Sequence, residues 1–162
     1  MNSISRFIIL LALSFMGCST GPKVMNADHV TQVIKFGDQY FLTLTSKPLS
    51  ETVTPVENTH VKGQIDEWHT ARYYDASVKY YRVVPEKRNI LSSLELTSEK
   101  VNLPFGLRVG VSQSTVLSAL GKPTTSNGGV LVYSIEDPYS QTVAFNTRNG
   151  VVQIITWEFE ID

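Results

Sequence analysis

"LPFGLRVGVSQSTVLSALGKP", Leu103 to Pro123, holds the densest set of folding signals in the chain. The Ser112 hydroxyl can accept a hydrogen bond from the free N–H groups that open a helix. Val116, Leu117 and Leu120 then share one apolar face, Gly121 suits the left-handed position after a helix end, and Pro123 prevents continuation. The spacing predicts a short helix from Ser112 to Leu120. Behind it come "GVLVYSI", "QTVAFN" and "VVQIITWEF", three strand-like runs. Asp137 and Pro138 mark the first turn between them, and Asn149 with Gly150 marks a tight hairpin. A helix leading into an antiparallel meander is an α+β pattern.

Upstream, Trp68 to Thr97 reads as another three-strand meander: "WHTARYY", "SVKYYRVV" and "NILSSLELT", separated by Asp75 and Ala76 and by Pro85 to Arg88. In the third run strict alternation puts Ile90, Leu94 and Leu96 on one face with Ser92, and Leu91 on the other. Ser46 to Glu67, with Pro48 and Pro55, reads as a long irregular connection or a poor, short helix. Val30–Lys35 and Gln39–Thr45 are rich in β-formers around Gly37 and Asp38, and predict a β-hairpin. The expected fold is α+β, with antiparallel β-meanders and one or two short helices. Two tandem helix-plus-sheet repeats are a further reading, although the first half shows no counterpart of the Ser112–Leu120 helix.

The N-terminus has a polar start with Arg6, an apolar core from Phe7 to Phe15, and a small-residue exit at Gly17 and Cys18. This is signal-peptide grammar, and the apolar run is far short of the roughly 20 residues a membrane-spanning helix requires. Cys18 is the only cysteine. The arrangement resembles the lipobox of bacterial lipoproteins, with Phe15 in place of the usual Leu. That resemblance implies cleavage before Cys18, acylation of Cys18, and, in a diderm bacterium with Ser19 following, an outer-membrane address facing the periplasm. An ordinary signal peptide cut elsewhere is the alternative.

The expected organisation is therefore a signal peptide over 1–17, a tether over 18–29, a β-rich first half over 30–102, and a helix-plus-meander module over 103–162. Removal of Arg6 with the leader leaves 13 Lys and Arg against 15 Asp and Glu, a net charge of −2. No basic cluster of the kind that neutralises phosphates is present, so nucleic acid is not an expected partner.

At "GLRVGVSQSTVLSALGKPT", followed by "VYSI", "VAFN" and "GVVQIITW", the chain resembles the SmpA/OmlA (BamE) lipoproteins of the outer-membrane β-barrel assembly machinery. It is similar also to the repeat of the β-lactamase inhibitory protein. The resemblance covers about Leu103 to Phe159 and implies a helix-then-sheet module on a lipid anchor. Gly106, Gly110, Ser112, Gly121 and Pro123, which carry it, are turn and cap residues and speak of fold rather than activity.

No nucleophile elbow, P-loop or paired metal motif occurs, so no catalytic residue, metal or other cofactor is expected. Among His29, His60 and His69 the best local cluster is Glu67 with His69, on one face if that stretch is a strand. Two ligands do not make a metal site. Aromatic residues are more suggestive: Trp68, Tyr73, Tyr74, Tyr80, Tyr81, Tyr133 and Tyr139 fall in or beside strands, and one member of each adjacent Tyr pair must leave the core face. The expectation is a non-enzymatic, lipid-anchored envelope protein that binds another, unidentified envelope protein as scaffold or accessory subunit. An inhibitor or immunity protein that blocks a hydrolase with its sheet face is the alternative, and a ligand-binding or enzymatic role in a pocket between the halves is a third.

Overall fold

The computed structural model describes residues 24–136 and 138–161. Cys18 and the expected signal peptide lie outside the described residues, as does Asp137. The chain forms α1 (Ala27–Thr43), β1 (Ser50–Glu57), β2 (Ile65–Arg72), β3 (Ala76–Val83), β4 (Arg88–Leu96), α2 (Gln113–Leu120), β5 (Thr125–Asn127), β6 (Val130–Glu136), β7 (Ser140–Arg148) and β8 (Val151–Phe159). All eight strands join one antiparallel sheet in the order β1-β2-β3-β4-β8-β7-β6-β5. Among the described residues the fold is thus α+β: mostly antiparallel sheet, with two α-helices. Each helix precedes a four-strand meander, and the last strands of the two meanders, β4 and β8, pair with each other.

α2 forms as its local signals require. The Ser112 hydroxyl accepts from Thr115 N–H at 3.1 Å, and Gly121 closes the helix at φ 78° with its N–H donating to Leu117 O. Val116 and Leu120 are buried.

α1 overturns the expected β-hairpin. Val30, Val33, Ile34, Gly37 and Phe41 are its buried residues, and that spacing follows the 3.6-residue helical period. The side chain of Asn26 caps the helix by accepting from His29 N–H at 3.2 Å. Gly37 is not a turn residue: a Cβ there would sit 2.7 Å from Trp157 Cδ1, so the missing side chain lets the indole press against the helix. Trp157, fully buried, donates its indole N–H to Val33 O at 2.9 Å. The expected tether over 18–29 is also too long, because Asn26 N–H already donates to Leu120 O at 2.8 Å and the helix starts at Ala27.

The irregular connection expected over Ser46–Glu67 contains a complete edge strand, β1, and the start of β2. Pro55 is compatible with that position because an edge strand needs no ladder donor on its free side. In β4 the pairing shifts between Lys79 and Tyr80: Lys79 faces Ser93 while Tyr80 faces Leu91, which leaves Ser92 as the extra residue of a bulge. The bulge turns Leu91 onto the core face with Leu94 and Leu96 and leaves Ile90 on the other face, against the strict alternation expected from the sequence.

Both helices pack on one side. α1 lies against β4, β6, β7 and α2, and the core comprises their apolar residues with Leu94, Leu96, Leu131, Tyr133, Val143, Phe145, Ile155 and Trp157 of the strands. No helix among the described residues covers the opposite face.

Candidate functional site

The uncovered face is built by the residues that alternate with the core positions. One cross-strand row runs Thr54–Trp68–Tyr81–Ile90 through β1 to β4. A second runs Thr70–Lys79–Ser93–Glu158–Thr142–Ser134 through β2, β3, β4, β8, β7 and β6. Its centre is small and polar. Around Thr142, Ala144 and Thr156 the surface dips into a shallow depression of about 300 Å³.

Aromatic side chains gather at the β1–β4 end. The Trp68 and Tyr81 rings meet edge to face with centroids 5.3 Å apart, and the Lys79 ammonium lies 4.6 Å from the Trp68 ring. Beside them is a cleft of about 360 Å³, walled by the β1–β2 loop and lined in part by Val56, Trp68, Tyr81, Val83 and Ile90.

Asp66 fixes that wall. Its carboxylate, shut away from solvent, accepts from Asn58 Nδ2 at 2.7 Å, Tyr81 OH at 2.7 Å, Gln64 Nε2 at 2.9 Å and Val84 N–H at 3.0 Å. Burial works against the charged form, but these donors outweigh it and hold the pKa down at about 2. Asn58 in turn accepts from His60 N–H and Val61 N–H, each at 2.8 Å. The loop is therefore tied at both ends to one carboxylate. Burial, with Asp66 adding to it, raises the Tyr81 phenol above its ordinary range, so the hydroxyl stays a donor.

On the helix side of the same strands, His69 is buried between two carboxylates: Nδ1 lies 2.8 Å from Glu51 Oε1, and Nε2 lies 3.0 Å from Glu67 Oε2. Tyr80 stacks on the imidazole with centroids 4.7 Å apart and donates to Glu51 at 3.0 Å. The hydrogen bond from His69 is the main reason the Glu51 pKa is lowered. Glu67 and His69 do share a face, as their spacing predicts, but the histidine is a buried clasp between β1 and β2 with neither ring nitrogen left over. Among the described residues no three His, Cys, Asp or Glu side chains are grouped to hold a metal.

The aromatic residues singled out from sequence thus separate. Trp68 and Tyr81 come together on the open face. Tyr80 is in the core layer, and Tyr133 is fully buried with its hydroxyl donating to Gly121 O at 3.0 Å and its pKa pushed up by burial to about 12. Tyr133 offers no surface to a partner. Tyr80 and Tyr81, both within β3, divide between the faces as alternation requires, whereas Tyr73, which packs on the core, and Tyr74, which is 85 % exposed, follow the end of β2. Tyr74 lies in the β2–β3 turn, and Tyr139, before β7, lines a groove with Ile90 and Arg88. The sequence reading missed Asp66, Asn58 and Glu51, which lay in the segment taken as irregular.

Comparison with family models, curated proteins and solved structures found no match to the chain.

Proposed function

We propose that this chain is a lipid-anchored envelope protein that binds another protein through the open face of its sheet, as a scaffold or accessory subunit. The observation that carries the reading is the Trp68–Tyr81 pair on an uncovered sheet face, next to a cleft whose wall is held rigid by Asp66. Tyr and Trp anchors beside pre-formed pockets are where binding energy concentrates in protein interfaces. A wall that is already ordered loses little entropy when a partner arrives.

The anchor rests on the lipobox resemblance at Cys18. Five residues separate Cys18 from Val24, so an acylated Cys18 would hold the domain within roughly 20 Å of the bilayer surface. An outer-membrane position facing the periplasm belongs to the same proposal. The two runs of helix plus four strands are read as tandem repeats, an arrangement supported by their identical element order and by the pairing of their final strands. That order also accords with the resemblance to the SmpA/OmlA (BamE) module and to the repeat of the β-lactamase inhibitory protein.

The test is photo-crosslinking in intact cells from Tyr81 and Thr156 on the open face, with Lys35 on the exposed side of α1 as control and a Cys18→Ala form in parallel. Capture of an envelope protein from the open-face positions, not from Lys35, and lost with Cys18→Ala, is the expected result. Capture of a soluble hydrolase whether or not Cys18 is present would favour the inhibitor reading. Crosslinks from Lys35 alone would sink both.

A further inference from the structure

The charges around the cleft are not balanced. Asp66 is ionised and buried directly behind the wall, and its four partners, Asn58, Gln64, Tyr81 and Val84 N–H, are all neutral. No cation pairs with it among the described residues. Neutral donors stabilise a carboxylate without cancelling its field, which therefore extends into the adjoining cleft. Glu57, on the cleft lining and exposed, also makes no ion pair among the described residues. Glu86 and Arg88, the remaining charged lining residues, neutralise each other at 3.0 Å. Lys79, which like Asp66 stands outside the lining, holds its ammonium 4.6 Å from the Trp68 ring and offsets one of the two unpaired carboxylates, so the cleft keeps an excess of negative charge.

The floor has a different character. Trp68, Tyr81, Val83 and Ile90 are apolar or aromatic, and a volume of about 360 Å³ admits one long side chain rather than a folded element. A ligand that matches both must have a slender apolar body and a positive head. Lysine and arginine side chains meet that description, since their methylene stems lie along apolar surface while the head seeks charge or an aromatic face.

We infer that the cleft receives a lysine or arginine side chain of the bound protein, its stem along Tyr81, Val83 and Ile90 and its head in the field of Asp66 and Glu57. This rests on the protein-binding reading above and identifies the chemistry of the partner's contact. It also assigns Asp66 two tasks, fastening the loop and charging the site.

The test separates the two claims by using a probe that needs no partner. The full mature protein in detergent micelles is titrated with Nα-acetyl-arginine amide and with its neutral isostere, Nα-acetyl-citrulline amide, and the Trp68 indole N–H and Ile90 methyl signals are followed by NMR. The arginine probe is expected to bind about tenfold more tightly, with shifts confined to the cleft. Glu57→Gln, an exposed change that leaves the loop network intact, should narrow the preference by about threefold. Equal binding of the two probes, or shifts centred elsewhere, overturns the inference. If Thr156 still crosslinks a partner in cells in that case, the face reading survives without it. A preference for arginine with no crosslink from either open-face position overturns the protein as occupant.

Discussion

The strands β1–β4 and β5–β8 follow the same path after a helix, yet they are held in different ways. The second set is held by apolar packing: Leu131, Tyr133, Val143, Phe145, Ile155 and Trp157 are all buried, and α1 reaches across from the first half to lie on β6 and β7. The first set gives up part of that cover. β1 is exposed along nearly its whole length, and it is fastened by polar clasps on both faces of the sheet: Glu51–His69 on the helix side and Asn58–Asp66 on the open side. Apolar burial is insensitive to pH and does not shape a surface. Buried polar clasps respond to protonation and can hold a loop out as a wall, and this is the half that carries the cleft.

The largest way to break the comparison is at Trp157, the side chain through which α1 grips the second half. Trp157→Ala should cost about 3–5 kcal/mol in urea unfolding, a large fraction of the stability of a domain this size. Gly37→Ala should cost about 1–3 kcal/mol, because the added methyl meets the indole at 2.7 Å, even though alanine is the better helix former. The two changes are expected to couple. In the Trp157→Ala background Gly37→Ala should turn neutral or stabilising, and additive costs would mean that the glycine is not a packing residue.

Acid separates the halves more gently. Asp66 has a folded pKa of about 2 against 3.8 for the free group, so its contribution is complete above pH 3.8 and is lost as pH falls through 2. Glu51, also lowered, works in the same direction. Hydrogen exchange should therefore show β1 and β2 losing protection in acid before β6 and β7 do, and Asp66→Asn should flatten the dependence of stability on pH in that window. Simultaneous loss in both halves would mean that the polar clasps do not make the first half the acid-sensitive one. The smallest effect is expected at Ser112→Ala, about 1 kcal/mol, read as faster exchange in α2 with the first half unchanged.

Each half was legible in proportion to how local its signals are. α2 and β6–β8 could be read because cap, stop and turn residues adjoin the segments they govern: Ser112 and Gly121 act within one turn, and Asn149 and Gly150 take the positive φ values of 53° and 74° that a tight hairpin turn requires. α1 was misread although its helical period is in the sequence, because Val, Ile, Phe and Tyr favour strands and Gly37–Asp38 imitates a turn. The period outweighs that composition once a core exists to reward one buried stripe.

By itself, then, the sequence determined an α+β class, the second helix and the meanders, and that Tyr80 and Tyr81 must face opposite ways, since these follow from backbone periodicity and short-range hydrogen bonding. Only the tertiary structure decided that Gly37 makes room for Trp157, that a bulge at Ser92 sends Leu91 inward, and that Asp66 gathers Asn58, Gln64, Tyr81 and Val84 around one charge. Each of those depends on which segments the fold brings together: of the donors to the Asp66 carboxylate only Gln64 is a near neighbour in the chain, while Asn58, Tyr81 and Val84 reach it from other segments.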